Sequence, residues 1–213
     1  MWLNDEVVHV GTQEEGSHRR RPNVVHRRMQ VLPEELVLID GIQVTSAART
    51  FLDLAARLPV HHLVAVGDSV LRDHAVSPAE LRVILNHRIR YPGKVRARQT
   101  IPLLSPLAES PQESRTRALL HLAGLPKPQP QLIVRSPGGT FVVRVDLGYE
   151  DRRLAIEYDG DIHRSVERYR RDAARRTTLR ELGWYVIEVT APDLNRPYPV
   201  VAKVRTALRV TSP

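Results

Sequence analysis

The stretch from Asp146 to Gly160, reading Asp-Leu-Gly-Tyr-Glu-Asp-Arg-Arg-Leu-Ala-Ile-Glu-Tyr-Asp-Gly, decides how the chain is read. It holds the end of one apolar strand, a polar turn at Glu150 and Asp151, and a second strand that runs into acids. Strands joined by so short a turn are antiparallel neighbours, so Asp146 and Glu157 fall at adjacent places on one edge of a sheet. Asp159 lies two positions beyond Glu157, which in extended backbone returns its side chain to the same face. The flanks are apolar: Phe141, Val142, Val143 and Val145 on one side, Leu154, Ala155 and Ile156 on the other. Two carboxylates ~4 Å apart repel by roughly 4 kcal/mol at an effective dielectric near 20. Such a pair is relieved by a divalent cation, a shared proton or an arginine. Hard oxygen ligands suit Mg²⁺ or Mn²⁺, which activate water and steady a phosphoryl transition state. The plainer solution stays open, with Asp146 paired to Arg144 or Arg153 and Glu157 to an arginine of the helix that follows.

Working outward, Ser110, Pro111, Gln112 and Glu113 read as a helix start, with a Ser cap, proline at the first position and Glu at the third. A capping box alone would account for Glu113, yet the same residue can serve as a third acid of the centre. Leu119, Leu120 and Ala123 line that helix and Gly124 ends it. Strands are expected over Gln131–Arg135, Thr140–Tyr149 and Leu154–Tyr158. A long helix is expected over Val166–Leu182, a fourth strand over Trp184–Thr190 and a last helix from Tyr198 to Arg209. The order is helix, three antiparallel strands, helix, strand, helix, with the fourth strand free to lie parallel to one of the others. Past Gly160, His163 is a candidate general base or phosphate contact, or a solvated loop residue. Arg168, Arg170, Arg171, Arg175, Arg176 and Arg180 make the long helix basic, a face suited to a nucleic-acid backbone or simply to water.

The N-terminal half reads differently. Val7–Val10 and Val24–His26 suggest short strands, beside a basic cluster at His18, Arg19, Arg20, Arg21, His26, Arg27 and Arg28. Asp40 and Gly41 suit a tight turn between Leu36–Ile39 and Ile42–Val44. Three helices follow, starting at Thr45 and Ser46, at Val60, and at Ser77 and Pro78. They form a small helical unit with no catalytic cluster. Prolines at 92, 102, 106 and 111 punctuate a helix and linker between Tyr91 and Pro111, which places a boundary near residue 105. The expected organisation is a smaller, mainly helical N-terminal region, 1–104, and an α/β domain, 105–213.

Composition narrows the function. The chain has no cysteine, which removes disulfides, thiolate metal sites and cysteine nucleophiles together. The formal net charge is +8, nearly all of the excess carried by arginine, whose planar fork fits phosphate oxygens. Aromatic residues are only 5%, which argues against a sugar cleft built on two carboxylates. No apolar run approaches the ~20 residues that span a bilayer. The acidic start, with Asp5, Glu6, Glu14 and Glu15, does not read as a secretory signal. The expectation is a soluble, cytoplasmic protein away from membranes, with a homodimer as one open state.

Glu157-Tyr-Asp-Gly160 with His163, then Arg171-Asp172 and Leu182-Gly183-Trp184 before a valine-rich strand, resembles the family related to very-short-patch-repair (Vsr) endonucleases, a branch of the PD-(D/E)XK nuclease superfamily. The resemblance covers about residues 105–195. It implies a restriction-endonuclease-like core in which Asp146 and Glu157 are metal ligands, the Tyr158 carbonyl is a third, Glu113 is the acid of the first helix, and His163 is similar to an active-site histidine. Asp172 would match an acid on the later helix. The superfamily's lysine, two residues after the second acid, is Asp159 here, so water activation would pass to His163 or to the metal. Gly41-Ile-Gln-Val-Thr-Ser46 with Arg49-Thr-Phe-Leu-Asp-Leu54 looks like a segment of AbiEi-type antitoxin and regulator proteins. Such proteins begin with a winged helix-turn-helix, and none is legible before residue 30, so the chain reads as a shortened version. Taken together, the expectation is a Mg²⁺- or Mn²⁺-dependent endonuclease acting on duplex DNA, with Arg168, Arg171, Arg175 and Arg176 on the backbone. The alternatives are a DNA-binding regulator that keeps the fold without the chemistry, and a partner-binding protein whose acids are salt-bridged.

Overall fold

Alternating apolar side chains between residues 129 and 190 build a sheet with two buried faces, each covered by helices. The computed structural model describes residues 7–12, 21–73, 76–87, 90–160 and 166–210, with the backbone alone for 166–172. Among these, β1 (Val8–Thr12) pairs in parallel with β2 (Val24–Arg28). The strands β3 (Leu36–Ile39) and β4 (Ile42–Thr45) form the expected hairpin. Asp40 and Gly41 both take positive φ, 50° and 80°, as a primed two-residue turn requires.

Four helices follow: α1 (Ala47–Ala55), α2 (Val60–Asp73), α3 (Pro78–His87) and α4 (Lys94–Thr100). The Ser46 hydroxyl accepts the Arg49 N–H at the start of α1, and Ser77 does the same for Glu80 before α3. Phe51, Leu52, Leu63, Leu81 and Leu85 are at most 1% exposed and form the core of this helical part. The stretch read as a helix and linker is α4 and a 3-10 turn, Ile101–Leu103, and its Ala97, Ile101 and Leu103 are buried.

The second half runs α5 (Pro111–Leu122), β5 (Gln129–Arg135), β6 (Phe141–Tyr149), a 3-10 turn at Glu150–Arg152, β7 (Leu154–Asp159), α6 (Val166–Glu181), β8 (Tyr185–Thr190), α7 (Ala191–Asn195) and α8 (Tyr198–Val210). The sheet order is β5-β6-β7-β8, antiparallel except that β8 lies parallel to β7. One face packs Leu147, Tyr149, Leu154, Ile156, Ile187 and Val189 against α5, α7 and α8. The other packs Leu132, Val134, Val143, Val145 and Ala155 against Leu179 of α6 and Trp184. The protein is therefore a mixed α/β molecule with a four-stranded mixed sheet between helical layers. Among the described residues no helix is long and apolar enough to cross a membrane.

The two halves meet through α2 and α5. Val64, Leu103 and Ala118 form a small apolar cluster there. Beside it Arg117 of α5 forms an ion pair with Asp68 of α2, the two side chains 8% and 1% exposed. Asp68 also accepts the Ser105 N–H at 2.7 Å.

Candidate active site

The strands β6 and β7 stop pairing where the acids begin. Their register runs Tyr149 with Leu154, Gly148 with Ala155 and Leu147 with Ile156, and ends there. One step further, Asp146 and Glu157 would stand opposite each other on one face. Instead of a strand carbonyl, the Asp146 carboxylate accepts the Tyr158 N–H at 2.9 Å. The acid thus takes the place of the ladder and holds the strands apart.

The same point carries a break in the alternation of β6. Val143 and Val145 pack on the α6 side, while Leu147 and Tyr149, of the same parity, pack on the α5 side. Opposite this break, Gln131 of β5 has φ of 53°, a conformation disfavoured for residues with a side chain. Its side-chain amide donates to Glu113 Oε2 at 2.8 Å. Nothing in the alternation of β5 singles out Gln131.

Glu113 is 7% exposed. The first half of the expected capping box is present, since the Glu113 N–H donates to the Ser110 hydroxyl at 3.2 Å. Its carboxylate, however, accepts the N–H of Glu109 at 3.0 Å, one residue before the cap. Glu113 thus organises the helix start, and its charge also reaches Asp146, whose pKa is raised. Burial is the larger cause of that upward shift; the Tyr158 N–H and Arg175 oppose it, and Glu109 adds to it.

Glu157 is met by Arg175 of α6, Nη2 to Oε1 at 2.6 Å. The approach is short but poorly aligned for a hydrogen bond, so this contact is chiefly Coulombic. The same guanidinium donates to the Arg144 carbonyl at 2.5 Å. Arg144 itself turns to Glu109 at 2.8 Å, both about half exposed, rather than to Asp146. Arg176, expected on a nucleic-acid backbone, pairs with Glu188 of β8. Glu188 is the register partner of Glu157 in the parallel β7–β8 pair, so the α6 side of the sheet carries two carboxylates side by side, each facing an arginine. Glu188 was not among the expected site residues; its signal was the polar position between Ile187 and Val189.

The structure therefore brings Glu113, Asp146, Glu157 and Arg175 together, with Tyr158 bridging through its backbone. Asp159 ends β7 on the Glu157 face and is partly buried. His163 and the side chains of Arg168 and Arg171 lie outside the described residues. Among the described residues no group of three or more His, Asp or Glu side chains is placed to hold a metal ion. Two carboxylates and a carbonyl could serve as metal donors here: Asp146, Glu157 and the backbone of Tyr158. These are hard oxygens of the class a divalent cation takes, and Arg175 is the cation that faces Glu157 here.

Fold and site thus define a mixed α/β protein with an acidic cluster where two central strands part. The chain is similar to two uncharacterized proteins of Mycobacterium tuberculosis, MT2308 of strain CDC 1551 / Oshkosh and Rv2248 of strain ATCC 25618 / H37Rv, each 31% identical over 182 residues. The similarity covers 84% of this chain, which spans 66% of the length of either relative. No protein-family model matches the chain, and no solved structure does.

Proposed function

We propose that the protein is a Mg²⁺- or Mn²⁺-dependent DNA endonuclease of the Vsr-related kind, built on a restriction-endonuclease-like core. The observation that carries this is the parting of β6 and β7 around Asp146, with Glu157 on the facing strand and Glu113 within its field. An acid buried beside a second acid is costly in a fold, and its retention at a strand opening fits a site that works with a cation. Asp146, Glu157 and the Tyr158 carbonyl would hold the metal. Bound there, it would supply Lewis-acid charge for water activation and for the developing negative charge of a phosphodiester.

The chain's own groups have definable tasks. The Tyr158 N–H fixes one Asp146 oxygen and leaves the other for ligation. Gln131 and the Glu109 N–H hold Glu113 in place. Arg175 neutralises Glu157 at rest, and on releasing it presents a forked donor to phosphate oxygens at the same edge.

A second reading has its own support: Arg175 already neutralises Glu157, and Asp159 stands where the superfamily has lysine. On that reading the protein binds DNA as a regulator without cutting it. The two separate in one assay on supercoiled plasmid and on mismatched duplex. The nuclease reading expects nicking with Mg²⁺ or Mn²⁺ that falls more than about 100-fold in Asp146→Ala and in Glu157→Ala, roughly 2.7 kcal/mol of transition-state stabilisation. Duplex binding in EDTA with no cutting under either metal would replace it with the regulator reading.

A further inference from the structure

Away from the acidic edge, Arg115 of α5 is an anomaly. It is 8% exposed, its Nε is buried without a hydrogen-bond partner, and among the described residues no carboxylate pairs with it. Arg117, two residues on and equally buried, also has an unpartnered Nε, but its two Nη groups donate to the Leu103 carbonyl and to Asp68, partners that Arg115 lacks among the described residues. A buried guanidinium without a counter-ion is strongly disfavoured, and burial does pull the Arg115 pKa down.

The described groups that act on it or feel its charge are two histidines and a tyrosine. His61 and His62, at the start of α2, lie with ring centroids 4.5 Å apart and planes tilted by 45°. Both imidazoles are held below the usual histidine range, first by burial and then by Arg115, with His62 lowered to about 4. The Tyr158 phenol lies on the α5 side of the sheet, close enough to act on the Arg115 charge. Tyr158 is also the residue whose N–H binds Asp146. The basic cluster and the acidic edge are thus on opposite faces of one strand end, a single residue apart.

We infer that Arg115, with His61 and His62, forms a phosphate-binding site that holds a backbone phosphate of a nucleic-acid strand next to the one at the acidic edge. A phosphodiester supplies what Arg115 lacks, a tetrahedral set of oxygens able to accept from a guanidinium fork and two ring N–H groups together. The inference rests on the nucleic-acid reading of the acidic site, but not on catalysis.

Its test is binding of a single-stranded and a duplex oligodeoxynucleotide to the full chain in EDTA, at several salt concentrations. Wild type, Arg115→Gln, Arg115→Lys and Glu157→Ala are compared, alongside inorganic phosphate as the isolated probe. The expected result is that Arg115→Gln weakens oligonucleotide binding about tenfold and lowers the slope of log K against log salt by about 1, while Arg115→Lys recovers much of both. Because the assay is run in EDTA, Arg115-dependent binding is read even if the protein never cuts, which separates this site from the nuclease reading. In the wild type, phosphate should shift the ring proton signals of His61 and His62, a readout that needs no variant to fold. Equal affinity and equal salt slope in wild type and folded Arg115→Gln would overturn the assignment. So would phosphate-induced histidine shifts accompanied by oligonucleotide binding that ignores Arg115, because the site would then take free phosphate alone.

Discussion

Asp146 sets a cost that the fold carries for its site. Its folded pKa is raised above 3.8, so in the interval between the two values the folded chain keeps a proton that the unfolded chain releases. Stability from this group therefore falls as pH rises through that interval, and the penalty is fully present above the folded value. Asp146→Asn removes the charge and keeps an acceptor for the Tyr158 N–H. The variant is expected to melt at a higher temperature than wild type at neutral pH, with the gain shrinking as pH falls toward 3.8, read by calorimetry across pH. A variant that melts lower at neutral pH would mean that the carboxylate is already compensated. The acids themselves were legible in the sequence, because a polar residue interrupting an apolar strand on each side of a short turn has few structural uses. Gln131 and Glu188 were not. Gln131 matters through a backbone twist that only the folded sheet imposes, and Glu188 through a strand register that spacing does not fix. The Arg115 cluster was equally hidden, since His61 and His62 stand far from Arg115 in sequence and looked like ordinary helix residues.

Among the elements, the strand order and the helix starts followed from caps and alternation. Ser46, Ser77 and Ser110 each begin a helix as expected, and Gly124 and Gly183 end helices with φ of 78° and 77°. The short α7 went unread, although Thr190 and Asp193 carry its capping pattern, with the Thr190 N–H donating to Asp193 at 2.9 Å. A five-residue helix has too little periodicity to stand out from the strand before it. The stretch before residue 105 reads as a helix and linker because prolines punctuate it, and its helix is α4. In the fold, Gly93 starts α4 with φ of 82°, and a Cβ there would lie 2.4 Å from the Ala55 carbonyl carbon. That contact is backbone on backbone, locking α4 to the end of α1, where Arg96 also donates to the Ala55 carbonyl at 2.7 Å. Gly93→Ala is expected to lose about 2 kcal/mol or more in urea unfolding, from strain and overlap together. An unchanged midpoint would show that α4 can move away freely.

At the scale of the whole molecule, the buried Asp68–Arg117 pair joins the helical half to the half that carries the acidic edge. Removing one partner leaves a buried charge, so Asp68→Ala should cost about 3–5 kcal/mol, whereas Asp68→Leu with Arg117→Met should recover most of the loss. A single, shared unfolding transition in wild type that splits in Asp68→Ala would identify this pair as what couples the halves. The same contact sets α5, and with it Glu113 and Arg115, against α2, so both proposed sites depend on it. The claim that organises the account is that the parting of β6 and β7 holds a divalent cation. Its most direct test is calorimetric titration of Mn²⁺ into wild type, Glu157→Ala and Arg175→Gln. The account predicts binding in wild type, its loss in Glu157→Ala, and tighter binding in Arg175→Gln, where the competing guanidinium is gone. No binding in either wild type or Arg175→Gln would contradict it, and would leave the carboxylates as partners of arginine alone.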